Sequence, residues 1–325
     1  MTAVAKYTFS SLEEALLTTL SCFNALKIYP TSFELFSFLL KPRLSTTCAE
    51  RDISYADILD VLEQLKGLDI IREEQGFYFF SFLQNTHKGF GTYRIVTDGV
   101  LDQKWRTVKK YLSFFKFLPF VEGVFVSGSL AAGTVREGSD FDFLVISHPN
   151  RLYTLRLFSV IFFDILGIRR KPVHVGIKIK NKMCLNHYLS LGSLIMKDRL
   201  VEGMFLYTRL VPIYLHHDTL INDFFQANEW IRDYFFRSSF EERVRHSERP
   251  RVAYLWSPVR AFFEFVLRGR TGDALEAYMY TWQKKRIPEE QNLFATPHEL
   301  NLHPNLEKRH ERLKVVLKTY FDRLW

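Results

Sequence analysis

Asp140 and Asp142 stand two residues apart, and ten residues separate them from the pair Gly128-Ser129. On an extended strand, residues i and i+2 project from the same face, so both carboxylates can grip one divalent cation. A glycine directly after a buried strand lets the backbone turn tightly and approach a phosphate with no side chain in the way. The adjacent serine hydroxyl and exposed N–H groups can then donate to phosphate oxygens. The chemistry these residue types suit is the handling of a cation and the phosphates that accompany it.

The elements that must position them are readable nearby. Val121 to Val126 reads as a buried strand that delivers Gly128, and Phe141 to Ile146 as the strand that carries the aspartates, with Phe141, Phe143 and Val145 turned into the core. Before them, Trp105, Val108, Leu112, Phe115 and Leu118 recur at spacings of three and four, the apolar stripe of an amphipathic helix that Pro119 stops. After them, Leu152 to Leu166 is a helical run and Val173 to Lys180 an alternating strand. Beyond about residue 185 the pattern reads as mainly helical, punctuated by Pro212, Pro250, Gly269, Pro288 and Pro304.

The strand Val124-Phe125-Val126, then Ser127-Gly128-Ser129, a loop Ala132 to Ser139, and Asp140-Phe141-Asp142 opening the next strand resemble the signature of the DNA polymerase beta-type nucleotidyltransferase superfamily. The stretch Lys182 to Ser190 and Leu210-Val211-Pro212-Ile213-Tyr214 are similar to parts of uncharacterised bacterial nucleotidyltransferase-like proteins, which extends the resemblance over roughly residues 100 to 215. The resemblance implies that Gly128 and Ser129, with Ser139, hold a nucleoside triphosphate and that Asp140 and Asp142 bind Mg²⁺ or Mn²⁺. It implies attack by an acceptor hydroxyl or phosphate on the α-phosphorus, with pyrophosphate leaving, and catalysis mainly by positioning and charge neutralisation.

One part of that signature is missing. Active members of the superfamily place a third carboxylate on a later strand, and the polar face of Val173 to Lys180 offers His174, Gly176, Lys178 and Lys180 instead. Three explanations compete: His174 serves as base or nitrogen ligand; an acid from elsewhere, such as Asp198 or Glu202, completes the site; or the site binds nucleotide without turning it over. Lys178 and Lys180 suit either a phosphate ligand or an edge strand guarded against aggregation. Cys184 and His187 are three apart, but a catalytic dyad also needs an orienting group and an oxyanion hole, and neither is visible.

The first 90 residues read as three helices and a hairpin: Leu12 to Leu26, Ser32 to Leu40, a helix begun by the capping pattern Ser54-Tyr55-Ala56-Asp57 and ended by Gly67, then Ile70 to Arg72 and Phe77 to Phe80 across a turn at 73–76. That order resembles a winged helix. The third helix carries Asp57, Asp60 and Glu63 against Lys66 alone, a charge that opposes docking on DNA phosphates and favours a packing or protein-contact role.

The whole chain holds 325 residues, more than one minimal core, so several domains are expected. These are a winged-helix-like domain at 1–90, a small mixed-sheet nucleotidyltransferase core at 91–217 and a helical region at 218–325 that builds part of the acceptor pocket, an α+β arrangement. The net charge of +8 is uneven: residues 1–90 hold 8 basic against 11 acidic residues, whereas 151–182 hold 8 against Asp164 alone. The excess therefore lies just after the aspartate strand, where a phosphate ligand would meet it. Three widely spaced cysteines, Cys22, Cys48 and Cys184, suit core thiols in a reducing compartment. Glu13 and Glu14 interrupt any signal-peptide core, and no apolar stretch is long enough to span a bilayer. Together these point to a cytoplasmic protein. The expected function is a Mg²⁺-dependent nucleotidyltransferase acting from a nucleoside triphosphate on an acceptor that is a small molecule, protein or RNA. Its rival is a degenerate module that binds a nucleotide or phosphorylated ligand and signals to a protein partner.

Overall fold

The computed structural model describes residues 9–26, 28–41, 53–83, 90–171, 179–197, 207–236, 257–287, 295–302, 315 and 318–319, with backbone only for 90–98. The chain divides into two compact units, one drawn from 1–96, 229–239 and 307–325 and the other from 97–228 and 240–306.

The first unit holds helices α1 (Ser11–Ala25), α2 (Ser32–Ser37) and α3 (Tyr55–Gly67), then strands β1 (Ile71–Glu74) and β2 (Phe77–Phe80). All three helices begin with a reciprocal capping box, Ser10 with Glu13, Thr31 with Glu34 and Ser54 with Asp57. Each box satisfies two of the backbone donors that a helix start leaves open. On α3 the residues Ile58, Val61, Leu62 and Leu65 are buried, as their spacing requires. The hairpin is tighter than its sequence suggests: β1 runs on to Glu74, and only Gln75 (φ 55°) and Gly76 (φ 84°) turn. Two successive positive φ values make a turn whose twist matches the strands. Thr31 bridges antiparallel to Phe77 and so adds a third, minimal strand.

Cys22 and Tyr78 lie in this core. Burial pushes the Cys22 thiol up to about 12, and burial with the charge of Glu73 pushes the Tyr78 hydroxyl to about 12. Both folded values exceed the unfolded ones, so the stability they contribute is complete below pH 9 and drains as pH rises towards 12. Urea midpoints measured from pH 8 to 11 are therefore expected to hold and then fall. In Cys22→Ala the fall is expected to be shallower, whatever the absolute stability.

The second unit is built on a five-stranded sheet. Its elements are α4 (Phe90–Phe115), β3 (Val121–Ser127), α5 (Gly128–Ala131), β4 (Phe141–Ser147), α6 (Leu152–Ile165), β5 (Met183–Ser190), β6 (Val211–Leu215), α7 (Leu220–Ala227), α8 (Pro258–Val266), α9 (Arg270–Lys284) and β7 (Glu299–Asn301). The strand order is β6-β3-β4-β5-β7. β4 and β5 are parallel and the remaining neighbours antiparallel, so the sheet is mixed. On one face Val124, Val126, Phe143 and Val145 pack with Val108 and Phe115 of α4 and with Leu152 and Phe163 of α6. On the other, Phe125 meets Phe224 of α7 at 5.3 Å. The β4 residues Leu144 and Ile146 are therefore buried as well, and Asp142 is the one position of the strand not fully enclosed.

α6 has no side-chain cap of its own. Glu276 of α9 supplies one, accepting from the N–H groups of Tyr153 and Thr154 at 2.8 Å each. A carboxylate at a helix start also complements the dipole there.

The expectation of a mainly helical chain beyond residue 185 is corrected by β5, β6 and β7. β5 is buried along nearly all its length, which leaves no alternation to read. Pro212 looked like a break, yet it lies within β6, an edge strand, where a missing N–H costs no ladder bond. The segment 218–325 does supply α7, α8 and α9, and it also gives the sheet its other edge through Glu299–Asn301. Of the strand expected over Val173 to Lys180, residues 173–178 lie outside the described residues, and Ile179 and Lys180 form a tight turn. Among the described residues, no helix is long and apolar enough to cross a membrane.

Candidate functional site

The end of β3 and the start of β4 lie side by side, with Ser127 in register with Asp142. Directly after Ser127 the chain turns through Gly128 at φ 65° into the single turn of α5. A Cβ added at Gly128 would sit 2.2 Å from Asp142 Oδ2, far inside contact distance. The Asp142 carboxylate thus rests against the bare α-carbon of the turn, and glycine is required both for the backbone angle and for the space. Ser129, half-buried, follows on α5, and its carbonyl accepts from Thr134 N–H at 2.8 Å, which folds the loop back on itself.

The loop returns to the sheet through a turn closed by Ser139, whose Oγ accepts from Arg136 N–H at 3.0 Å. Lys104, on α4, then fixes the approach to Asp140. Its Nζ donates to the carbonyls of Glu137 (2.8 Å) and Ser139 (2.6 Å) and to Asn181 Oδ1 (2.8 Å). These three bonds use all the ammonium protons, and the residue is only 3% exposed. Burial and the charge of Lys180 pull its pKa below the ordinary lysine range, against the opposing pull of Asp140 and Glu137. Lys104→Met keeps the stem but strands these acceptors, and a loss of roughly 1–3 kcal/mol is expected in urea unfolding.

Asp140, Asp142 and Cys184 bring one ligand atom each to within 4.8 Å of one another. Cys184 arrives from β5, in register with Asp142. Burial, then the charges of Asp142 and Asp140, push its thiol well above the ordinary cysteine range. At neutral pH it stays protonated, a donor to the carboxylates rather than a thiolate ligand. Arg170 closes the group: its Nη1 lies 2.6 Å from Asp140 Oδ2 and 3.9 Å from Cys184 Sγ. Burial works against its charge, but Asp140 outweighs that and raises its pKa further.

The structure brings together Gly128, Ser129, Ser139, Asp140 and Asp142. His174 and Lys178 lie outside the described residues, as do Asp198 and Glu202. Within the basic segment 169–182, Arg169 pairs with Asp164, Arg170 with Asp140 and Lys180 with Glu137. Much of the local positive excess is thus matched to acids. Cys22 and Cys184 are buried and unbridged, as expected of core thiols, and Cys48 lies outside the described residues. His187 meets the buried Glu299 at 3.2 Å.

Three contributors escaped the sequence reading: Lys104, Arg170 and the placement of Cys184. Lys104 had a signal, since it precedes Val108 by four, Tyr111 by seven and Phe115 by eleven, and so is a charge on the apolar stripe. Arg170 was one of six bases in its segment, with nothing to single it out.

Residues 108–196 match the family model of the nucleotidyltransferase domain. The match runs from the second half of α4 through β3, the glycine turn, β4, α6 and β5, and it agrees with the resemblance to the polymerase beta-type superfamily. Comparisons with curated proteins and with solved structures gave no match.

Proposed function

We propose that this domain binds a nucleoside triphosphate at the Gly128 turn and transfers its nucleoside monophosphate to an acceptor, with Asp140 and Asp142 as the ligands of Mg²⁺ or Mn²⁺. The observation that carries the reading is the close seating of the Asp142 carboxylate on Gly128, with Asp140 and Cys184 converging on the same place. The donor set fits a hard cation in part: two carboxylates suit Mg²⁺, whereas a protonated thiol is a poor partner for it. Bound there, the cation would supply charge neutralisation for the phosphates.

The chain's own residues do the rest. The Gly128 turn presents backbone N–H groups and the Ser129 hydroxyl to the phosphates, while Ser139 and Lys104 hold the loop that aims Asp140. Arg170 offers a second positive charge beside Asp140 for the polyphosphate. In the reaction an acceptor oxygen bonds to the α-phosphorus, the bond to the β-phosphate oxygen breaks, and pyrophosphate leaves with the electron pair. His174 is kept as the candidate base for the acceptor proton, and Lys178 as a phosphate contact.

Two observations favour a second reading, a binding module without turnover. The position facing Asp142 on the neighbouring strand holds a thiol, and a guanidinium already neutralises Asp140. We also take the residues 1–90, with three helices before a two-stranded hairpin and a bridging Thr31, as a winged-helix-like domain. The core is taken as 91–217 and the remainder, 218–325, as the part that receives the acceptor. Asp57, Asp60 and Glu63 on α3 speak against DNA as the partner.

Calorimetry with each triphosphate, with and without Mg²⁺, tests the proposal. Mg²⁺-dependent binding of at least one triphosphate is expected, and pyrophosphate release in the presence of a cell extract as acceptor source separates enzyme from module. No binding to any triphosphate under either condition would remove the enzyme reading and the nucleotide-binding form of the module.

A further inference from the structure

At the far end of β3 the structure holds a second convergence of ligand-type side chains. Glu122 is the extra residue of a β-bulge, since pairing with β4 skips from Val121 to Gly123. Bulges re-aim a side chain relative to the regular pleat. The Glu122 carbonyl accepts from His216 N–H at 2.7 Å, which ties the bulge to the two residues, His216 and His217, that follow β6. One ligand atom from each of Glu122, His216 and His217 lies within 4.8 Å of the other two. The two imidazoles meet at nearly right angles, with centroids 4.5 Å apart.

Glu122 is the informative member. The residue is 6% exposed, and among the described residues no hydrogen bond or ion pair holds its carboxylate, whose charge acts on His216. A carboxylate drawn so far out of water beside two imidazoles is suited to hold a metal ion. Arg260, which reaches the carbonyl of the preceding residue Val121 at 3.2 Å, is engaged with Glu264 at 2.7 Å and the Tyr214 hydroxyl at 2.8 Å.

We propose that Glu122, His216 and His217 form a site for one late first-row divalent cation, of which Zn²⁺ is the representative. Two imidazole nitrogens and one carboxylate oxygen are a donor set that zinc takes, and one that Mg²⁺ or Ca²⁺ does not favour. With bonds of about 2.1 Å, tetrahedral geometry puts ligand atoms roughly 3.4 Å apart, so the three side chains need close in by only about 1 Å. His217 is exposed and gives the ion a way in, leaving a fourth position to water. The ion compensates Glu122 and cross-links the bulge of β3 to the end of β6. Ser127 and the aspartates lie at the other end of the strand, about 17 Å away at 3.3 Å per residue, so this site is distinct from the nucleotide site.

The test is zinc titration of tag-free protein after chelator dialysis, against a chromophoric competitor, with X-ray absorption on the loaded sample. One equivalent is expected, with nitrogen and oxygen neighbours and no sulfur. His217→Ala, an exposed change that leaves the core alone, is expected to weaken zinc at least tenfold, and Glu122→Gln likewise, while Cys184→Ser leaves it unchanged. The proposal is overturned if the protein takes up no zinc, if His217→Ala binds as the parent does, or if the ion proves to be sulfur-bound and lost in Cys184→Ser.

Discussion

Replacing Gly128 by alanine is expected to destabilise the protein and to abolish nucleotide binding together. The backbone angle alone, φ 65°, costs a residue with a Cβ about 1–3 kcal/mol. The new methyl group would also sit 2.2 Å from Asp142 Oδ2, so the carboxylate must leave its place against the turn. Nothing nearby lets the strain relax cheaply, because Ser127 and Asp142 are locked in register and Val126 and Phe143 are buried behind them. A lower urea midpoint and a loss of triphosphate affinity of about 100-fold or more are the expected pair of results. Should Gly128→Ala bind triphosphate as tightly as the parent, the turn does not approach the phosphates.

Asp142→Asn is the complementary change, since it keeps the shape and removes the charge. The neighbouring Cys184 thiol can still donate to the amide oxygen, so folding is expected to change by less than about 1 kcal/mol. Mg²⁺-dependent triphosphate binding is expected to fall by roughly 100-fold, because a ligand is lost outright and even the partners of ligands are worth 10- to 100-fold. Any pyrophosphate release is expected to fall at least as far. Asp140→Asn serves as the internal comparison: it strips Arg170 of its partner at 2.6 Å and leaves an uncompensated guanidinium in the site. Its metal-independent affinity for triphosphate is therefore expected to rise even as the Mg²⁺ effect is lost. Equal behaviour of the two variants would mean that Arg170 plays no part in ligand binding.

The parts of the site that were legible in sequence are those where local chemistry and tertiary role coincide. A buried strand followed by Gly128 and an Asp-x-Asp start can be read because the glycine, the serine and the alternating phenylalanines each report a local constraint. The capping boxes at Ser10, Thr31 and Ser54 and the Gln75-Gly76 turn belong to the same class, although only the Ser54 box was singled out. What could not be read depends on pairing between distant segments. β5 is enclosed on both faces, so Met183 to Ser190 carries no period-two pattern, whereas Val173 to Lys180 alternates clearly. The register of β5 with β4 is what puts Cys184 opposite Asp142. No inspection of a lone cysteine could have supplied that. The Arg170 contact is of the same kind, a product of how the segment after α6 returns to the sheet. β7, three residues long with a buried Glu299, has no local signature at all, since that burial is explained by contacts with His187 and the Lys197 N–H, both far away in sequence.

The most direct trial of the account is a crystal structure of the protein with a non-hydrolysable triphosphate and Mn²⁺, read by anomalous scattering. A manganese peak bonded to both Asp140 and Asp142 is expected, with phosphate oxygens against the backbone of Gly128 and Ser129. A triphosphate seated elsewhere, or a manganese peak that leaves Asp142 untouched, would contradict it.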